Sequence, residues 1–372
     1  MPKSNKKLNI VLTGGGTGGH IYPAIAVGRE LILRSNVEKV FYIGNPEKLE
    51  KIITEKEDFE FLPVKVSGMP KKKNFSMLLW LFELGIAVIK CIGYLKKIKP
   101  NCVMGTGGYV SGPALIAAKI LSIPYMLHDS DAVPGIVSRA MSSGAKAMNL
   151  SFEEAKKYLK AKNIQVNGNP LRGEFNLLDK SECLKELGLS PDKFTILVMG
   201  GSQGAKSINA AISACALDLI EENGVQIIHQ TGLKNYDEYM DGISSELRNN
   251  PSYFPKAYIE NIPVYLSCAD LVVARAGSLS LSEFNLSGLP SVLIPYPYAA
   301  NNHQYHNAKA LEKAGASVCL EDNLCDGDNL REIIFNLINN KDKMETMKKA
   351  NLKLAKPDAT KNITDMLISI VK

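Results

Sequence analysis

Charge of one sign is scarce in this chain of 372 residues, where 44 basic residues stand against 38 acidic ones for a net of +6. So mild and dispersed an excess suits a phosphorylated ligand or an anionic membrane surface. It is too small to indicate nucleic-acid binding, and none is expected. No Cys-x-x-Cys occurs, and the seven cysteines are scattered at 91, 102, 183, 215, 268, 319 and 325. An odd number without ligand spacing argues against a disulfide framework or a zinc site and fits a reducing compartment. The basic stretch Met1–Asn9 runs directly into a strand and a glycine loop, so a cytoplasmic chain without a signal peptide is expected. Disorder is excluded as well. With 45% hydrophobic and 22% charged residues the chain can bury a large core, and its length points to roughly two or three domains.

Short apolar runs alternate with helix-length segments. The strand candidates are Leu8–Thr13, Val40–Ile43, Cys102–Gly105, Pro124–His128 and Ala147–Leu150, then Thr195–Met199, Gln226–Gln230, Leu271–Ala274 and Ser291–Pro295. Many are continuous Val/Ile/Leu runs, as parallel strands covered on both faces require, so the fold class is α/β and doubly wound. The plan strand, glycine loop, helix start occurs at Leu8–His20 and again at Phe194–Lys206. Each occurrence reads as the first unit of its own sheet. The expected domains are therefore residues 1–169 and 170–355, divided at the Asn169-Pro170 turn, with residues 356–372 as a final helix packing back on the first domain. Two such domains facing each other would make a cleft for a ligand.

Gly14-Gly-Gly-Thr-Gly-Gly-His20 contains Gly-x-Gly-x-x-Gly. Its glycines allow close backbone approach, and the following helix offers N–H groups to phosphate; alone, the same spacing serves as a structural turn. No Gly-Lys-Ser/Thr follows, which excludes a Walker loop. Tyr42-Ile-Gly-Asn-Pro46 lacks the acidic residue a nicotinamide dinucleotide would need. Gly107–Pro113 and Gly200–Gly204 are further glycine-rich strand exits, and three in one chain favour anion or sugar contacts. His128-Asp-Ser-Asp131 carries an Asp-x-Asp that would suit a divalent cation in a transferase with a single nucleotide-binding sheet. Two sheets are expected here, so a loop-shaping or sugar-contacting role is favoured, and no metal or other cofactor is expected. Ala274–Glu283 follows a strand and opens a helix with small residues, with Glu283 just over one turn in, where a carboxylate can accept from a ribose diol. The alternative is a capped helix with a solvated glutamate. Asn301–His306 is rich in neutral donors and acceptors of the kind that read sugar hydroxyls, or else a polar loop. Lys71–Lys73, the apolar stretch Phe75–Leu95 and Lys96, Lys97 and Lys99 either form a basic-flanked helix at a lipid interface, with Leu79, Trp80 and Phe82 in contact, or a buried core helix.

Taken in order and spacing, Gly14–His20, Gly107–Pro113, Gly168–Arg172, Gly200–Ala205, Ala276–Glu283 and His303-Gln304 resemble the MurG family of bacterial peptidoglycan N-acetylglucosaminyltransferases, and the resemblance extends to Pro357–Thr360. It implies the GT-B fold of two Rossmann-like domains. It also implies inverting, metal-independent transfer of GlcNAc from UDP-GlcNAc to the C4 hydroxyl of MurNAc in undecaprenyl-pyrophosphoryl-MurNAc-pentapeptide, lipid I becoming lipid II. That reaction belongs to cell-wall synthesis, hence to cell shape and division. It implies a peripheral place on the cytoplasmic side of the cell membrane, with anionic inner-leaflet lipids and other cell-wall synthesis proteins as partners. A UDP-GlcNAc 2-epimerase of similar fold, or a non-catalytic nucleotide-sugar-binding membrane protein, is the alternative. By position, His20 matches the general base, and Thr17, Gly18 and Gly19 match donor contacts. Arg172 and Ser202 match donor-binding residues, and Ile259 the backbone that reads uracil. Ser278, Leu279, Ser280, Leu281, Ser282 and Glu283 match the phosphate-and-ribose segment, and Gln304 a glutamine on the GlcNAc hydroxyls. Asp131 stands where relatives carry a neutral amide on the sugar, which puts donor specificity at that contact in question, and Asn301 stands where an acid is common.

Overall fold

The continuous apolar runs become the centres of two all-parallel sheets in a computed structural model that describes residues 7–70, 75–171, 178–201 and 203–371. The first sheet holds β1 (Leu8–Thr13), β2 (Val37–Gly44), β3 (Glu60–Pro63), β4 (Cys102–Gly105), β5 (Tyr125–Asp129), β6 (Ala147–Leu150) and β7 (Ile164–Gln165). The second holds β8 (Thr195–Met199), β9 (Gln226–Gln230), β10 (Tyr253–Lys256), β11 (Leu271–Ala274), β12 (Ser291–Leu293) and β13 (Ser317–Cys319). Spatial order is β3-β2-β1-β4-β5-β6-β7 in one and β10-β9-β8-β11-β12-β13 in the other. The doubly wound expectation holds. Each order reverses once, between β1 and β4 and between β8 and β11, and such a switch point is where parallel sheets bind ligands.

Four strands have no counterpart in the sequence reading: β3, β7, β10 and β13. They are the four sheet edges. An edge strand pairs on one side and is partly exposed, so it need not be a continuous apolar run. Glu60 in β3 and Lys256 in β10 are exposed, and β7 is two residues long.

By its internal contacts the chain forms two units, Met1–Glu174 with Lys356–Lys372, and Phe175–Ala355. In the first, the helix Ala359–Ser369 lays Ala359, Ile363, Met366 and Leu367 into the same apolar cluster as Ile21, Ala24 and Ile25 of the helix Gly18–Ile32. An Arg34–Asp365 ion pair of 2.9 Å lies beside that contact.

The helix Phe75–Ile98 behaves differently. Only Ala87, Cys91 and Leu95, spaced four apart on one stripe, are buried. Phe75, Leu78, Leu79, Leu81, Phe82, Ile86 and Ile89 are 50–71% exposed. Length and composition would let this helix cross a membrane, yet its buried stripe belongs to the core of the first unit. Trp80 is less exposed than Leu79 and Phe82, because its indole N–H donates to the Ser67 carbonyl at 3.0 Å. Glu83 accepts from the Ser67 hydroxyl at 2.6 Å. Lys71–Lys73 lie outside the described residues.

In the second unit a polar chain crosses the core. Tyr239 and Tyr253 share a hydroxyl contact of 2.6 Å, and the Tyr253 hydroxyl lies 2.7 Å from His229 Nδ1. Asn209 donates to the Thr231 carbonyl and so turns Oδ1 towards His229 Nε2 at 3.1 Å. His229 is therefore the Nε2–H tautomer. Burial pushes its pKa down to about 3. The unfolded imidazole titrates near 6.5, so the folded state binds fewer protons between about 3 and 6.5. This contribution is present above pH 6.5 and lost as the pH falls towards 3. At pH 5 the loss is about 2 kcal/mol. The fall in unfolding free energy from pH 7 to pH 5, measured by urea denaturation, should be smaller by about that amount in His229→Gln. An equal fall in both proteins would show that His229 is not the group responsible.

Candidate active site

At the first switch point, the loops after β1 and β4 are fitted to each other through glycine. Gly107 and Gly108 have φ of +104° and +73°, which a side-chain-bearing residue rarely adopts. A Cβ on Gly107 would lie 2.7 Å from His20 Nδ1, and one on Gly108 would lie 2.0 Å from the Gly15 carbonyl oxygen. The His20 ring and the Gly15 peptide thus press on the same two glycines. Thr106 donates its hydroxyl to the His20 carbonyl at 2.6 Å, and the Tyr42 hydroxyl donates to the Gly14 carbonyl at 2.7 Å. His20 itself stands in the first turn of the helix Gly18–Ile32. Thr17, the N-cap, is extended and places no side chain on the first-turn N–H groups, which helix geometry leaves outside the ladder.

Glu50, unnoticed in the sequence, lies against this loop. It is fully buried, and its Oε1 accepts the Gly16 N–H at 2.8 Å.

At the end of β5, His128 is fully buried. Asn149 Nδ2 donates both to His128 Nδ1 at 2.8 Å and to the Gly168 carbonyl at 2.9 Å. The ring proton is therefore on Nε2, which lies 3.1 Å from Asn169 Oδ1. Burial pushes this imidazole down to about 4. It is neutral at pH 7 and braces the Gly168–Asn169 turn. Asp129 takes the Asp131 N–H on one oxygen at 3.2 Å and the Gly135 N–H on the other at 3.1 Å. Burial, then the charge of Asp131, push the Asp129 carboxyl up to about 6. Both oxygens of Asp129 shape the loop, and among the described residues no group of three metal-ligating side chains converges.

The second switch point gathers the other set. The β8 exit turns on Gly201 and Gly204, with φ of +84° and +77°. Gln230, at the end of β9, donates to the Gly201 carbonyl and accepts the Ile259 N–H, each at 3.0 Å. The Ile259 N–H is therefore engaged within the fold. The β11 exit carries Arg275, whose guanidinium pairs with Asp322 and donates to the Ile294 carbonyl at 3.1 Å and the Ser207 hydroxyl at 3.0 Å. Gly277 is the N-cap of the helix Ser278–Ser287; its φ is −71°, and a Cβ there would meet nothing within 4 Å. Leu281 is buried, so it has only backbone to offer. Ser282 donates its hydroxyl to the Ser278 carbonyl at 3.0 Å. Leu279, Ser280 and Glu283 are partly exposed. Asn307 donates to the Ala276 carbonyl at 3.2 Å, tying the helix His303–Lys313 to this turn. Gln304, in that helix, accepts the Tyr296 N–H on Oε1 at 3.0 Å, so its NH2 remains the part that can donate outward. Asn301 and Asn302 precede it at φ of 52° and 54°, a left-handed pair that asparagine tolerates. Arg172 and Ser202 lie outside the described residues.

The chain as a whole is matched by known proteins. Residues 10–149 match the glycosyltransferase family 28 N-terminal domain and residues 195–363 its C-terminal domain. A protein of Desulforamulus reducens is 40% identical over 365 residues, covering 96% of this chain and 97% of its own. One of Halothermothrix orenii is 37% identical over 372 residues, 98% of this chain and all of its own. Both are named UDP-N-acetylglucosamine--N-acetylmuramyl-(pentapeptide) pyrophosphoryl-undecaprenol N-acetylglucosamine transferase. The chain belongs to the MurG family. Acinetobacter baumannii MurG has the same fold, with a TM-score of 0.80 and 25% identity across 97% of this chain and 99% of that one. The UDP-GlcNAc 2-epimerase of Neisseria meningitidis, at 16% identity and a TM-score of 0.68 over 98% of this chain and all of its own, shares the fold alone. As a member of the MurG family the chain is a glycosyltransferase of the GT-B fold. Glu50 and Gln230 carry no motif that marks them in the sequence, and Arg275 is marked there only as part of Ala274–Glu283, with no role of its own; the fold brings all three to the switch points.

Proposed function

We propose that this enzyme moves GlcNAc from UDP-GlcNAc to the C4 hydroxyl of MurNAc in lipid I, with inversion. The observation that carries this reading is the β11 exit, where an open Gly277 and a helix N-terminus stand at a switch point with Glu283 one turn further on. Diphosphate is received by first-turn N–H groups of Ser278, Leu279 and Ser280, since a helix start favours anions. The same groups stabilise negative charge as UDP departs. Leu281 acts through its backbone, and Ser282 shapes the turn. The Glu283 carboxylate accepts from the ribose diol, the Ile259 carbonyl accepts from the uracil ring N–H, and the Gln304 NH2 donates to a GlcNAc hydroxyl. Arg172 and Ser202 complete the donor contacts by family position.

In the first unit, Thr17, Gly18 and Gly19 meet the donor sugar, and Asp131 meets a sugar hydroxyl as an acceptor only. His20 removes the proton of the acceptor hydroxyl, the task of a positioned general base. Direct displacement at the anomeric carbon then breaks the bond to UDP as the new bond forms.

Incubation with labelled UDP-GlcNAc and a lipid I analogue should yield a β-linked disaccharide and UDP. His20→Ala should slow turnover by about 10²- to 10⁴-fold. Release of a 2-epimer, or binding without product, would contradict the transfer, and full turnover in His20→Ala would remove the base.

The exposed face of the helix Phe75–Ile98 supports peripheral attachment to the cytoplasmic leaflet. Leu78, Leu79 and Phe82 enter the lipid, and Lys96, Lys97 and Lys99, all exposed, meet anionic headgroups. Replacing Leu78, Leu79 and Phe82 together with Ser should reduce sedimentation with phosphatidylglycerol vesicles while the melting temperature holds. Undiminished vesicle binding would contradict this attachment.

A further inference from the structure

A buried carboxyl group with no ion pair among the described residues needs a reason, because burying a polar group is unfavourable unless it is hydrogen-bonded. Glu50 is fully buried on the short helix Leu49–Thr54. Its Oε1 accepts the Gly16 N–H at 2.8 Å, and Oε2 has no hydrogen-bond partner among the described residues. The fit on the loop is close, since a Cβ added to Gly15 would lie 1.9 Å from that same Oε1. On its other side the Gly15 carbonyl presses on Gly108, and the His20 ring presses on Gly107 and Gly108. Glu50, the Gly15–Gly16 peptides, Gly107–Gly108 and the His20 imidazole therefore form one contiguous stack. The helix carrying Glu50 follows β2, and β2 also sends the Tyr42 hydroxyl to the Gly14 carbonyl. Three consecutive loop residues are thus fixed from the β2 side.

We propose that Glu50 is a positioning residue for the acceptor-side loop: through its hydrogen bond to Gly16 N–H it sets the height of the Gly14–Gly19 loop and hence the place of His20. Two consequences follow. The hydrogen bond, not the carboxyl group as such, does the positioning. And the Gly16 N–H is withdrawn from any ligand, so an anion at this loop is met by the helix N-terminus beyond Thr17 instead. The inference rests on the reading of His20 as the base.

Two variants, one isosteric and one shortened, separate the hydrogen bond from the carboxyl group. Glu50→Gln keeps an oxygen for the Gly16 N–H, and its NH2 replaces an oxygen that accepts nothing among the described residues. Glu50→Asp keeps the carboxyl group but is one methylene too short to reach. Steady-state transfer kinetics with UDP-GlcNAc and the lipid I analogue should give Glu50→Gln a kcat within about 3-fold of wild type. Glu50→Asp should lose about 100-fold in kcat, as expected for an ångström-scale misplacement of a catalytic group, with a smaller rise in KM for UDP-GlcNAc because Thr17–Gly19 lie on the same loop. Three results would overturn the proposal: the reverse ranking, in which Asp is active and Gln is not; equal activity in both; or an Asp defect expressed in the donor KM rather than in kcat. Thermal melts of both variants accompany the kinetics, and an Asp variant that loses kcat only in proportion to its folded fraction would also overturn it. His20→Ala run alongside separates the two claims. Full turnover there would sink the base assignment, whereas a slow His20→Ala with both Glu50 variants fully active would sink only the positioning role.

Discussion

In a parallel sheet every strand ends on the same edge, and at the one place where the winding reverses, the next helices leave in opposite directions. Backbone at that point is left without neighbouring strands or side chains to cover it. The rest of this molecule follows from that constraint operating twice. It explains why glycines gather after β1, β4, β8 and β11, and why those at 107 and 108 have no room for a Cβ. It also explains why the groups that can meet a ligand are largely N–H groups at helix starts.

Chemistry then divides by the side chains each switch point adds. The first adds His20, with ring position fixed by Gly107, and a set of neutral braces: the His128 imidazole held down to about 4 by burial, and Asn149 and Asn169. The second adds Glu283 and Gln304 around an uncrowded Gly277, held by the Arg275 and Asn307 contacts. A base belongs with the acceptor hydroxyl, and a helix start with a carboxylate one turn on belongs with a nucleoside diphosphate. In the proposed reading the two units serve different halves of one transfer.

How far this was legible in the sequence depended on the kind of signal. Nine central strands were readable because burial on both faces demands unbroken runs such as Thr195–Met199; the four edges were not, since partial exposure permits residues such as Glu60 and Lys256. Glycine loops were visible as motifs, and in order they carried the family resemblance. Glu50 was invisible because its partner, Gly16, is 34 residues away and its helix is a single short turn and a half. Gln230 looked like the last residue of an apolar strand, although its amide joins the Gly201 and Ile259 loops. The helix Phe75–Ile98 was ambiguous for another reason: an all-round apolar sequence is compatible with core or with lipid, and only the burial of Ala87, Cys91 and Leu95 alone tells which face the fold uses.

The proposed nucleotide site is the turn after β11 in the second unit. Hydrogen exchange with and without UDP, paired with calorimetry on Glu283→Ala, tests it most directly. The expected result is slowed exchange across residues 276–283 and near Ile259, together with a loss of about 10- to 100-fold in UDP affinity on removing the carboxylate. Slowed exchange confined to the first unit, or unchanged affinity in the variant, would contradict it.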